Sequence, residues 1–221
     1  MKRIACIHTV YGVIDSFTRQ LREGIPGQFH IHTMYDDFLA TDPAPGQSGK
    51  FTAINHQRLR LDMQAQALTG ADVIVVTCST LSPSVRLLRG EFNIPIVAID
   101  DAMVREAVAT GTKIGLIATA ASTLEPSASA VRAAADDAGK EIDLKVLCNE
   151  QAILAFKSGD TATHDRLVLE MADQMKDRDV IVLAQASTAY MEQAVAERSG
   201  VVTLSSPSRC IAQLREMLEE A

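Results

Sequence analysis

Short runs of β-branched residues alternate along the chain with longer stretches whose apolar positions recur every three to four residues. The runs are RIACIHT (3–9), QFHIHTM (28–34), DVIVVT (72–77), IPIVAI (94–99), KIGLIAT (113–119), DLKVLC (143–148), DVIVLA (179–184) and VVTLS (201–205). Such alternation predicts parallel strands joined by crossover helices, an α/β fold. The helices between the runs have marked ends. Gly24, Gly70, Gly111, Gly139 and Gly200 sit where a left-handed C-cap is wanted, and Asp15, Ser122 and Asp160 or Thr161 are N-cap candidates. One stretch, LATDPAPGQSGKF from Leu39 to Phe51, is rich enough in Pro, Gly and polar residues to read as a long loop. It is either a solvated connection or a lid over a site.

Eight strands divide into four and four. Setting residue n against n + 107 pairs Asp72 with Asp179, Val73 with Val180, Ile74 with Ile181 and Val75 with Val182. A shift of 110 pairs Ile4 with Ile114, Ile7 with Ile117 and Thr9 with Thr119. The expectation is two similar, pseudo-symmetric α/β halves, each a four-stranded parallel sheet flanked by helices, with the active site between them. Residues 1–98 with 206–221 would form the first half and residues 99–205 the second.

Composition narrows the function. The 221 residues are 47% hydrophobic and 22% charged, enough for a real core. A net charge of −7, no Lys/Arg run, three Tyr, six Phe and no Trp argue against nucleic acid as a partner. Apolar runs are short, and MKRIACIHTVYG lacks the long apolar stretch and cleavage site of a signal peptide, so neither membrane nor export is expected, and the location expected is cytoplasmic. Four cysteines (Cys6, Cys78, Cys148, Cys210) lie far apart without C-x-x-C spacing, which points to reduced thiols rather than zinc. Cys6 and Cys148 fall in strand runs and Cys210 in a helical run, where a buried, inert thiol is expected. Cys78 stands at a strand end.

In an open parallel sheet, ligands bind at the carboxyl ends of the strands, where helix N-termini offer N–H groups to anions. Cys78, Ser79 and Thr80 sit at such an end, and a helix starting near Leu81 or Ser82 would favour the thiolate. The matching turn of the second half offers Gln185, Ser187 and Thr188. The first strands of the two halves end in His8-Thr9 and Thr119. Such hydroxyl-rich ends suit a small carboxylate. Each Ser or Thr taken singly also reads as a helix cap, and the convergence of four strand ends carries the functional reading.

The tandem four-strand halves and T-C-S-T after the third strand resemble the aspartate/glutamate racemase superfamily, which includes aspartate, glutamate and hydantoin racemases, maleate isomerase and arylmalonate decarboxylase. The resemblance covers almost the whole chain as architecture and rests on few residues as motif. It implies a cofactor-independent enzyme in which Cys78 transfers a proton at the α-carbon of a small carboxylate, with Ser79 and Thr80 binding that carboxylate. Racemases of the superfamily carry a second cysteine in the second-half turn. Here the matching residue is Gln185 in the ungapped register or Ala186 with one gap. That departure leaves room for a single-thiol decarboxylase or cis-trans isomerase, or for a binding protein without catalysis. If two opposed bases are needed, His8 is the candidate for the second, since histidine titrates near neutral pH. Tyr11 and Tyr190 are alternative donors to an enolate oxygen. A homo-oligomer stays open.

Other signatures are absent: no G-x-G-x-x-G, Walker A, G-x-S-x-G or H-E-x-x-H. Asp36-Asp37, Asp100-Asp101 and Asp136-Asp137 could suggest metal ligands, but two of the pairs read as residues that begin or decorate helices, and no histidine stands at ligand spacing. His30 and His32 share one side of a strand, but two ligands do not define a metal site.

Overall fold

The computed structural model describes residues 1–40 and 53–220. Of the expected long loop, residues 41–51 lie outside the described residues. All eight sequence runs form strands: β1 (Lys2–His8), β2 (Phe29–Tyr35), β3 (Val73–Val76), β4 (Ile96–Ala98), β5 (Lys113–Ala118), β6 (Asp143–Cys148), β7 (Val180–Leu183) and β8 (Val202–Ser205). They build two four-stranded parallel sheets, ordered β2-β1-β3-β4 and β6-β5-β7-β8. The chain divides into two compact units, Met1–Asp101 with Pro207–Ala221, and Ala102–Ser206.

Around the first sheet lie α1 (Tyr11–Gly24), α2 (Ala53–Ala67), α3 (Ser82–Leu88) and α9 (Ser206–Glu220). The second sheet is accompanied by α4 (Asp101–Thr110), α5 (Ala121–Asp137), α6 (Glu150–Lys157), α7 (Thr161–Asp173) and α8 (Glu192–Ser199). Strand alternation decides what each face buries. On β1, Ala5 and Ile7 join Leu59 and Met63 of α2 and Val85 of α3 in one core. His8 belongs to the other face and meets Phe17 of α1 edge-on, with ring centroids 6.2 Å apart. In the second unit, Leu116 and Val182 pack on α4 and α5, while Ile117 and Ile181 pack on α7 and α8. Because both faces are covered, the central strands read as unbroken apolar runs.

The repeated aspartate that opens DVIV does one job twice. Asp72 Oδ2 accepts from Arg3 N at 2.7 Å, and Asp179 Oδ2 accepts from Thr112 N at 2.9 Å and Lys113 N at 2.8 Å. In each unit the start of the third strand is thereby tied to the start of the first, which satisfies backbone donors that the ladder leaves over.

Several predicted caps are corrected. Gly70, Gly139 and Gly200 have positive φ, but Gly24 and Gly111 do not. Those two are glycine for space: a Cβ on Gly24 would lie 2.5 Å from Ile211 Cγ2, and one on Gly111 2.3 Å from Asp179 Cβ. Asp160 caps α7 through Thr163 N, whereas Asp15 and Ser122 lie inside α1 and α5. Asn149, not singled out in the sequence, caps α6 through Gln151 N. Cys148 is exposed, not buried, because it ends β6, an edge strand. Among the described residues no helix is long and apolar enough to cross a membrane.

Candidate functional site

The strand order of each sheet reverses between its first and third strands in sequence, β1 beside β3 and β5 beside β7. Chain segments leaving those two strands diverge to opposite sides, so their carboxyl ends open a crevice at the topological switch point. His8, Thr9, Cys78, Ser79 and Thr80 all belong to the first such point, and Thr119, Gln185, Ser187 and Thr188 to the second.

In the first unit Cys78 has extended backbone (φ −121°, ψ 111°) and precedes a 3-10 turn, Ser79–Leu81, that runs into α3. Its carbonyl accepts from Leu81 N at 2.9 Å, and its side chain is half-buried against the α2/α3 core. Ser79 is buried and Thr80 half-buried. Just before the turn, Thr77 N and Oγ1 both donate to Ile7 O, at 3.0 and 3.2 Å, and Thr77 Oγ1 lies 2.8 Å from His8 Nδ1. A hydroxyl has one proton; with it on Ile7, His8 Nδ1–H donates to Thr77 and Nε2 keeps a lone pair.

That Nε2 is buried without a protein partner, and so is Thr9 Oγ1. Burial lowers the His8 pKa to about 4. The ring is therefore neutral at pH 7 and does not titrate near neutrality as its residue type suggested. The physical reason is desolvation at a fully covered strand end.

After the turn, Ser82 Oγ donates to Asp100 Oδ1 at 2.6 Å, with both residues fully buried. Burial pushes the Asp100 carboxyl up to about 6 against the opposing hydrogen bond from Ser82. Asp100 Oδ2 has no protein partner. The neighbouring Asp101 starts α4 and accepts from Ala98 N and Arg89 Nη1, each at 3.0 Å. Of these two adjacent aspartates, only Asp101 belongs to the helix. Nothing in the sequence separates them, since the difference is which way each side chain points.

The second unit spends most of its polar side chains internally. Gln185 Oε1 accepts from Thr119 N at 2.7 Å and from Thr119 Oγ1 at 3.1 Å. Thr188 Oγ1 donates to Gln185 O at 2.7 Å, closing its own turn. Ser187 is half-exposed. Gln185 precedes the 3-10 turn Ala186–Met191 with φ −119° and ψ 138°, as Cys78 precedes its own. Structural position thus pairs Cys78 with Gln185, not Ala186. The second turn holds six residues against three in the first, so α8 starts later after its strand than α3 does.

The tyrosines differ. Tyr11 is 72% exposed and meets Tyr35 edge-on at 6.0 Å. Tyr190 donates to Asp165 Oδ1 at 2.6 Å and lies 2.8 Å from His164 Nδ1, so its hydroxyl is committed within the protein. Burial, then Asp165, raises its pKa. Burial pushes the Cys6 thiol up to about 12 and Cys210 well above its ordinary value, which leaves both inert. Burial and Glu150 also raise Cys148. Among the described residues no group of three or more His, Cys, Asp or Glu could hold a metal ion.

A family model described as Asp/Glu/hydantoin racemase matches residues 12–214. No curated protein matches the sequence. Among solved structures, an allantoin racemase from Klebsiella pneumoniae superposes with a TM-score of 0.72 at 18% identity, covering 100% of this chain and 89% of that one. A glutamate racemase, RacE1 from Bacillus anthracis, gives 0.75 at 18% identity over 99% and 82%. The aspartate racemase of Picrophilus torridus gives 0.67 at 12% identity over 98% and 94%. At these identities the structures speak for the fold.

Proposed function

Since the chain belongs to the Asp/Glu/hydantoin racemase family, we propose that it is an isomerase of racemase type, moving a proton at the α-carbon of a small carboxylate or hydantoin with Cys78 as acid/base. One observation carries this reading: Cys78 is a half-buried thiol at the β1/β3 switch point, while Cys6 and Cys210 are buried and Cys148 ends an edge strand. In the forward step the Cys78 thiolate takes the α-proton. The C–H bond breaks, an S–H bond forms, and the electron pair passes into the substrate's carboxylate or ring carbonyl as an enolate-like anion. Hydroxyls of Thr9, Ser79 and Thr80 are suited to meet that charge. Thr119, Gln185, Ser187 and Thr188 are proposed as substrate-binding residues, with Ser187 the hydroxyl least committed elsewhere. His8 fits less well as a second base. An imidazole whose conjugate acid has a pKa near 4 is a weak base at pH 7.

The pairing of Cys78 with Gln185 favours a second reading, chemistry on one face of the α-carbon, as a decarboxylase or cis-trans isomerase needs. A carboxamide does not ionise at pH 7 and cannot serve as a general acid or base there. Incubation in deuterium oxide with aspartate, glutamate and a 5-substituted hydantoin separates the readings by NMR of the α-proton and by chiral analysis. The expected result is α-deuteration that Cys78→Ala abolishes. Label in both enantiomers means racemisation; label confined to one hand means single-face chemistry. Binding without exchange, or exchange that survives Cys78→Ala, would sink the enzyme reading built on this thiol.

A further inference from the structure

We infer that Asp100 is a positioning residue that fixes the Cys78 turn through Ser82. Its functional meaning rests on the reading of Cys78 as the reacting thiol; its mechanical content does not. The turn is short. Its internal backbone ties include Leu81 N to Cys78 O and Ser82 N to Ser79 O. Polar contacts to neighbouring strands bracket it on both sides. Thr77 holds the front end to Ile7 and His8 of β1, and Ser82 holds the back end to Asp100, two residues past β4. Because β3 lies between β1 and β4, these brackets pull on the turn from opposite directions.

Asp100 is an expensive way to fill space. A fully buried carboxyl with one oxygen lacking a partner is costlier than an apolar side chain of its size. What it supplies is direction: a fixed acceptor that only a correctly placed Ser82 hydroxyl can meet. The second unit reaches the same end with the parts exchanged. Glu192, first residue of α8, accepts from the hydroxyl of Ser205 at the end of β8. In both units the first residue of the helix after the third-strand turn is bonded to a residue at or just past the end of the fourth strand. The hydroxyl stands on the helix in one and on the strand in the other. Two opposite residue choices for one link indicate that the link itself is what the turn requires.

Iodoacetamide labelling of the full chain, read by peptide mass as the Cys78/Cys148 ratio, tests this without knowledge of the substrate. Ser82→Ala and Asp100→Leu should each change the ratio about threefold or more in the same direction, as loss of one hydrogen bond allows. The double variant should change it no further than the larger single, because the two residues act as one unit. Asp100→Asn, whose amide oxygen accepts the same bond, should stay within about twofold of wild type. A ratio unmoved by Ser82→Ala, or single effects that multiply in the double variant, would overturn the inference. If Asp100→Leu does not fold, Ser82→Ala against the hydroxyl-keeping Ser82→Thr decides the matter. A shifted ratio in a protein whose deuterium exchange ignores Cys78 upholds the positioning and removes the proposed function instead.

Discussion

Gln185 Oε1 takes two hydrogen bonds from Thr119, one from the backbone N–H at 2.7 Å and one from the hydroxyl at 3.1 Å. The residue standing where Cys78 stands in the other half is thus a structural tie between β7 and β5. Cysteine at this position cannot reach as an amide does. Gln185→Cys and Gln185→Ala should each destabilise the protein by about 1–3 kcal/mol, the cost of leaving a buried backbone donor unpaired. Urea denaturation measures it. Ala186→Cys, which breaks no such bond, should cost less, and equal losses for 185 and 186 would refute the tie.

Acid should act on His8 and Asp100 with opposite signs. His8 titrates near 4 folded against 6.5 unfolded, so its contribution is fully present above 6.5 and fades as pH falls toward 4. Asp100 titrates near 6 folded against 3.8 unfolded, so burying its charge weakens the fold above 6 and the penalty vanishes as pH falls toward 3.8. Between pH 6 and 4 the two offset each other. Asp100→Asn should therefore lose thermal stability more steeply than wild type over that window. The His8 ring proton signal in NMR should not titrate between pH 8 and 6. Parallel melting curves for variant and wild type, or a His8 midpoint near 6.5, would contradict the argument.

Two glycines make a controlled pair. Gly111→Ala forces a methyl to 2.3 Å from Asp179 Cβ and displaces the carboxylate that holds Thr112 N and Lys113 N. It should cost about 1–3 kcal/mol, the usual range for overpacking. Gly12→Ala, in α1 with nothing within 4 Å and no positive φ, should instead stabilise by about 0.4–1 kcal/mol. Denaturant midpoints of both variants settle the comparison.

Thiol reactivity should rank by surroundings. Native protein should incorporate iodoacetamide at Cys78 and Cys148 and leave Cys6 and Cys210 unlabelled, since both are buried with raised thiol pKa values. Cys78 should react before Cys148, although Cys148 is the more exposed, because burial and Glu150 hold the Cys148 proton on. Labelling of Cys148 first at pH 7 would count against an activated Cys78.

Periodicity alone determined the α/β class, because a buried parallel strand and an amphipathic helix impose different spacings on apolar residues, and each of the eight strands was marked by such a run. The doubled DVIV likewise fixed the two-sheet plan: one aspartate, serving one backbone junction, appears twice. Residue type at strand ends was legible too, since polar side chains there stand out from apolar runs. Partnership was not. Whether Thr119 faces Gln185, Thr77 faces His8, or Asp100 meets Ser82 while Asp101 meets Arg89 depends on strand order and on which side each side chain leaves the backbone. Those contacts join residues 66 to 69 positions apart in the first two cases and 18 in the link from Ser82 to Asp100. No local pattern encodes them. Glycine shows the same division: a left-handed turn can be read from neighbours in sequence, as at Gly200, whereas the close approach of Asp179 to Gly111 exists only once β5 and β7 lie side by side. Titration belongs wholly to the tertiary structure, because the same imidazole that ionises near neutrality in water is held neutral by the walls that close over His8.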